Sequence, residues 1–192
     1  MESKATMDEQ LELINPMGDL EEEYRAFVEE FQAIDQGDQL HWSSGSEPNW
    51  ECFNSLLGRL EDEKHGATLC AWKVPHTTYW LVCEKRIIGT GDLRHRLTEP
   101  MEEHVGHIGY CVRPSERRKG HGTRMLAMLL EEAAQMGIKE AILICGYDNP
   151  GSIGVIENNG GQLMSESCSE RARRVTRRYL VPTRSKLTEN SL

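Results

Sequence analysis

Residues 105–136 constrain this chain more than any other stretch. A β-forming run, Val105–Val112, ends at Pro114 and is followed by a basic turn, RRKGHGT, over Arg117–Thr123. From about Gly122 to Met136 the apolar residues Met125, Leu126, Leu129, Leu130, Ala133 and Met136 recur at helical spacing, and Gly137 caps the end. Strand, glycine turn and amphipathic helix are thus set in one order. The first amides of a helix have no internal partners and sit at the positive end of its dipole. A turn that leaves them facing outward binds anions, most often phosphate. Gly120 and Gly122 let the backbone turn and approach a ligand, while Arg113, Arg117, Arg118 and Lys119 add positive charge. The unit reads as a diphosphate cradle. It is not a Walker A loop, because no Gly-Lys pair follows the spacer. It is not a dinucleotide fingerprint either, because Met125 stands where the third glycine belongs. A basic turn that merely caps a helix is the plainer alternative.

The remaining elements follow from periodicity. Asp19 to about Gln36 forms a helix with Leu20, Tyr24, Phe27, Val28, Phe31 and Ile34 inward, Asp19 as its N-cap and Gly37 as its stop. A loop over Gly37–Asn49 leads to a second helix from about Trp50 to Glu63, with Phe53, Leu56, Leu57 and Leu60 inward and Gly66 ending it. Thr77–Cys83 and Ile87–Arg94 are strands joined by a tight turn at Glu84–Arg86. A charged loop, His95 to about Glu103, precedes the Val105–Val112 strand, whose glycines imply a bulge or a close backbone approach. Ala141–Cys145 is a buried strand, and Asp148–Gly161 a turn and short helix. Gln162–Ser165 and Arg171–Val181 close the sheet. Arg171–Arg178 is read as a charged edge strand, ahead of contact with an anionic ligand because no loop glycine or cap lies beside it. The division is an arm over 1–18, one domain over 19–182 and a loose tail over 183–192.

Composition narrows the function classes. Residues 1–40 carry a net charge of −10 against −9 for the whole chain, so the rest is near neutral. An acidic protein does not coat nucleic acid. No run approaches the roughly 18 apolar residues of a membrane span, and the polar start is not a targeting segment. The six cysteines are nowhere closer than 13 residues, which excludes zinc-ribbon spacing and favours reduced core thiols of a cytoplasmic protein. No metal is expected: His104 and His107, three apart on a strand, point to opposite faces.

The segment GHIGYCVRPSERRKGHGTRMLAMLLEEA resembles the acetyl-CoA-binding core of the GCN5-related N-acetyltransferase (GNAT) superfamily, of bacterial type. Its signature is [Q/R]-x-x-G-x-[G/A] after a strand ending in V-x-P. Arg117, Gly120 and Gly122 match it, and Val112, Arg113 and Pro114 match the lead-in. AILICGYDNPGSIGVIENNGG resembles the next family block, with Asn149, Ser152 and Gly160 in place. The match is close over about residues 75–165. The resemblance implies an α/β (α+β) GNAT fold, with a central mixed, mostly antiparallel sheet splayed at the cofactor site. It implies acetyl-CoA as co-substrate, its pantetheine arm paired with the backbone of Tyr110, Cys111 and Val112. Its diphosphate would rest on the amides of Arg118, Lys119, Gly120, His121, Gly122 and Thr123. Asn149 would contact the arm, with Ser152 nearby. A tryptophan at Gly120 or Gly122 is expected to abolish binding while leaving the fold largely intact.

The implied reaction is acetyl transfer to an amine by direct attack in a ternary complex. At neutral pH well under about 1% of a lysine-like amine is the free base, so a proton acceptor or water chain is required. Glu102, Glu103, His104 and His107 are the candidates, His107 foremost, although a strand histidine that stabilises the splay is an equal reading. Many relatives carry a tyrosine as acid in the short helix. Here Ile156 stands there, and Tyr147 is the substitute candidate or a surface turn residue. Arg94 and His95 border the expected acceptor cleft, and the four tryptophans serve core or pocket. Ile156 keeps a second reading open, a catalytically silent acyl-CoA-binding or regulatory module. O-acyl transfer is a third. The expected partner is a small-molecule or peptide amine, with no nucleic acid or membrane, and a homodimer through the closing strands fits such folds.

Overall fold

The computed structural model describes residues 10–34, 53–67, 69, 73–169 and 174–184. The expectations for the 37–49 loop, for Trp42, Trp50, Trp72, Cys52 and Cys70, and for the far tail lie outside the described residues. Among the described residues, seven strands and five α-helices follow one another. They are β1 (Leu11–Ile14), α1 (Glu21–Ala33), α2 (Phe53–His65), β2 (His76–Cys83), β3 (Arg86–Arg94) and α3 (Glu99–His104). Then come β4 (Ile108–Val112), α4 (His121–Gln135), β5 (Glu140–Gly146), α5 (Pro150–Asn158), β6 (Gln162–Ser169) and β7 (Arg174–Pro182).

The strands form two antiparallel sheets, ordered β1-β2-β3-β4 and β5-β7-β6. The β2–β3 hairpin turns through Glu84 and Lys85, both at positive φ, as a two-residue turn that follows strand twist requires. Helix α4 buries Met125, Leu126, Leu129, Leu130 and Ala133 on one side of the first sheet, in a core shared with β5, Ile156 and Tyr179. Burying each such side chain is worth about 1.5–3 kcal/mol, so this face anchors the helix. Helices α1 and α2 cover the opposite side, where Tyr24 stacks on Trp80 at 4.9 Å and Phe27, Phe31 and Phe53 close around them. Trp80, 1% exposed, is therefore core.

Several expectations change. The charged stretch 95–103 is not all loop: Thr98 and Pro100 start α3, which buries Met101. Ile34 and Met136 lie past the last helical residues and are exposed, because neither helix reaches the length that its periodicity suggested. Residues 174–178 do not lie on an edge strand. Strand β7 runs between β5 and β6, and β6 is the edge. Cys111 and Cys145 are buried, but Cys168 on β6 faces solvent.

Candidate active site

The two sheets meet at one point. Gly106 bridges Leu143, the His107 amide donates to the Ile142 carbonyl at 2.7 Å, and the Ile142 amide donates to His107 Nδ1 at 3.0 Å. A Cβ on Gly106, at φ +76°, would meet the Ile142 carbonyl oxygen at 2.5 Å, so only glycine permits this approach. Past it the strands part: β4 pairs only with β3, and β5 only with β7. The imidazole stands in for the next backbone carbonyl, pinning β5 to β4 at the apex of the divergence. With Nδ1 accepting an amide, the neutral ring carries its proton on Nε2. Burial lowers the His107 pKa, helped by Arg94 and opposed by Glu102, so the neutral ring is favoured.

From the open end of β4 the chain passes through Pro114–Glu116 into the glycine turn. Arg118 is left-handed at φ +66°. Gly120, at φ +87°, is the N-cap of α4 and no side chain caps that helix. A Cβ on Gly120 would meet nothing within 4 Å, so the turn that leads into α4 has open space at that residue. This fits a phosphate-bearing ligand. Gly122 is different: its Cβ would meet Val155 Cγ2 at 3.1 Å, so it sets the contact between α4 and α5. A tryptophan at Gly122 would therefore displace α5, contrary to the expectation from sequence.

The basic residues divide in two. Arg118 and Lys119 are exposed at the turn, Lys119 within 2.7 Å of Glu116. Arg117 donates to the Val112 carbonyl and lies over the Phe31 ring. Arg113, expected to add charge to the cradle, is instead turned inward and 6% exposed. It bonds Glu23 and Glu30 of α1 and the Ile87 carbonyl. Burial alone would raise the Glu30 carboxyl; the Arg113 hydrogen bond and the Ser115 amide outweigh it and hold the pKa below its ordinary value. Helix α1 thus clamps the base of the turn.

On the second side of the gap, Asn149 caps α5 by accepting the Ser152 amide at 3.0 Å. Its Oδ1 is used locally, and its amide nitrogen is the group left to meet a ligand. Tyr110, whose main chain pairs with Gly91, packs its ring toward α4 and α5. Its hydroxyl is buried without a hydrogen-bond partner. Burial raises its pKa; the nearby Ser152 side chain opposes the shift without closing a hydrogen bond, and Cys145 of β5 adds to it. Ile156 is 1% exposed in the core.

Of the three catalytic candidates, only His107 stands at the gap. Glu103 is exposed on α3, with His104 Nε2 at 3.8 Å. Tyr147 is 54% exposed beneath the Arg177 guanidinium. Sequence reading passed over Asp92. It is fully buried on β3 opposite Gly109 of β4, accepts from Thr78 at 2.7 Å, and faces the α1–α2 side with Tyr24. The signal was available: a carboxylate at an inward position of an apolar strand needs a reason. Close by, Glu63 is buried between Lys73 at 3.1 Å and His76 at 3.5 Å. Among the described residues no group of three or more His, Cys, Asp or Glu could hold a metal, and no helix is long and apolar enough to cross a membrane.

Comparison with solved structures gives the same fold. An acetyl transferase of Salmonella typhimurium that modifies the N-terminal serine of the 50S protein L7/L12 matches at TM-score 0.62 and 17% identity, over 90% of this chain and 94% of that one. The microcin C7 self-immunity acetyltransferase MccE, in complex with acetyl-CoA and AMP, matches at 0.62 and 16%, over 91% and 93%. A spermidine N-acetyltransferase SpeG chimera from Vibrio cholerae and hSSAT matches at 0.60 and 15%, over 91% and 96%. No curated protein sequence matches significantly. The family model described as the acetyltransferase (GNAT) family matches residues 21–160, from the first residue of α1 to the glycine behind α5. With most of its length, the parted strands and the glycine turn included, within that match, the chain belongs to the acetyltransferase (GNAT) family.

Proposed function

We propose that this acyltransferase moves an acetyl group from acetyl-CoA to an amine by direct attack in a ternary complex. The observation that carries the reading is the uncapped start of α4, which opens beside the one place where the sheets diverge. The amides of Arg118 to Thr123 would hold the diphosphate, with Arg118 and Lys119 as counter-charges. The backbone of Tyr110, Cys111 and Val112 and the Asn149 side chain would align the pantetheine arm. Bound there, acetyl-CoA supplies an activated thioester.

The chain's own groups do the rest. His107 acts as a wedge that fixes where the strands part, because its basic nitrogen already accepts the Ile142 amide. Asp92 places a buried carboxyl group on the α1–α2 side of β3, the side from which an amine acceptor would approach and where it must lose a proton. The relatives of this fold include enzymes for N-terminal serine and for spermidine, so both acceptor types fit the reading. The test is thiol release from acetyl-CoA over a panel holding spermidine and an N-terminal-serine peptide. Release with at least one amine supports the enzyme. Tight acetyl-CoA binding with no release over any amine or alcohol favours the silent acyl-CoA module that Ile156 suggests. Release with alcohols alone favours O-acyl transfer.

A further inference from the structure

A buried hydroxyl left unpaired carries a desolvation cost, so one that a native protein keeps calls for an explanation. The Tyr110 hydroxyl is such a group. It lies on β4 past the Gly106–Leu143 bridge, where β4 has left β5, and it faces the Ser152 side chain and the Cys145 thiol. The residue at the short-helix position that often supplies the acid, Ile156, carries no proton and is locked in the core: a Cβ on Gly161 would meet its Cγ2 at 2.4 Å. Tyr147, the substitute suggested by sequence, is on the surface.

We propose that the Tyr110 hydroxyl donates a hydrogen bond to the departing thiolate of coenzyme A, a stabilisation that Ile156 on the short helix cannot give. This rests on the acetyl-CoA reading above. As the acyl carbon–sulfur bond breaks, its electron pair stays on sulfur. The phenolic O–H donates to that sulfur and remains a phenol, because burial makes it a weaker acid than the thiol. The proton released by the amine as the amide forms reaches the sulfur through solvent and gives the free thiol. The phenol is held neutral beforehand by its buried surroundings, so the proton is in place at the start of each turnover. Ser152 lies beside the ring.

The test needs only CoA. Its thiol is titrated by thiolate absorbance while bound to wild type, Tyr110→Phe and Ser152→Ala, and acetyl-CoA affinity is measured by calorimetry. A phenol that donates to the thiolate should lower the bound thiol's pKa relative to Tyr110→Phe by about one to two pH units, a ten- to hundredfold change in ionisation. Ser152→Ala should keep the wild-type titration, and all three proteins should bind acetyl-CoA within about threefold of one another. Turnover by Tyr110→Phe, with any amine that wild type accepts, should fall about a hundredfold or more. Identical thiol titrations in wild type and Tyr110→Phe would overturn the assignment. So would a shift carried by Ser152→Ala, which would make Ser152 the donor. A wild-type protein that binds no CoA overturns the cofactor reading, and this one with it.

Discussion

Replacing Arg113 by methionine should uncouple the cradle from helix α1. The guanidinium side chain is 7% exposed and bonds two carboxylates whose side chains are 28% and 25% exposed, Glu23 and Glu30. Removing one partner of a buried ion pair costs about 3–5 kcal/mol. Glu23 and Glu30 can partly rehydrate, so the loss here belongs below that range, at about 2–3 kcal/mol. Unfolding entropy near about 2.1 cal/mol/K per residue puts the fall in Tm at about 5–8 °C for a chain of this length. Glu30 also accepts the Ser115 amide at 2.6 Å and Glu23 the Ile87 amide at 3.1 Å, so both ends of the turn's support loosen. Acetyl-CoA affinity should fall about tenfold, the cost of ordering a loop that wild type holds ready. Arg113→Met with Glu23→Gln and Glu30→Gln removes the orphaned charges and should regain part of the Tm but not the affinity. Calorimetric melting and titration read both quantities. An Arg113→Met protein that melts within about 1 °C of wild type and binds acetyl-CoA equally would refute the clamp.

Substitutions at two further residues probe the sites on either side of the sheet. His107→Ala leaves the buried Ile142 amide unpaired and should cost about 1–3 kcal/mol, whereas His107→Asn offers an oxygen near the Nδ1 position and should recover most of it. The folded His107 pKa is depressed, so its contribution is complete above about pH 6.5 and lost as pH falls through the lower folded value. The Tm of His107→Asn should lack that decline; equal pH profiles for Asn and His would refute the wedge. For Glu63, burial would raise the carboxyl, but the hydrogen bonds and charges of His76 and Lys73 pull it down to about 2. Its stabilisation is complete above about pH 4.3 and lost as pH falls toward 2. Glu63→Gln should melt lower than wild type at neutral pH and fall less steeply in acid, and a parallel acid decline in both proteins would contradict this.

The parts legible in the sequence are those whose signals are local. The α4 periodicity and the glycines before it are contiguous, and the Glu84–Lys85 turn is fixed by the strands it joins. What escaped depends on distant partners. Nothing near Arg113 says that its guanidinium turns toward carboxylates 83 and 90 residues earlier in the chain. The His107 ring meets an amide 35 residues later, the distant partner that the splay-stabilising reading of this histidine needed and the sequence did not name. Strand order is equally remote: β7 looked like an edge from its arginines, yet β6 lies outside it. Helix α3 was hidden for a different reason, because six residues offer too little periodicity and its buried Met101 sits among charges. Tyr110 was read only through its main chain, since a hydroxyl's lack of partners is a property of packing.

The most direct test of the account is an acetyl-CoA titration of wild type and Gly120→Trp. The position opens onto free space, so the fold bears only the left-handed strain of about 1–2 kcal/mol, while the indole would cover the first amides of α4. Saturable binding by wild type and a loss of about a hundredfold or more in a folded Gly120→Trp protein is the predicted result. Equal affinity in the folded variant would mean that the diphosphate rests elsewhere.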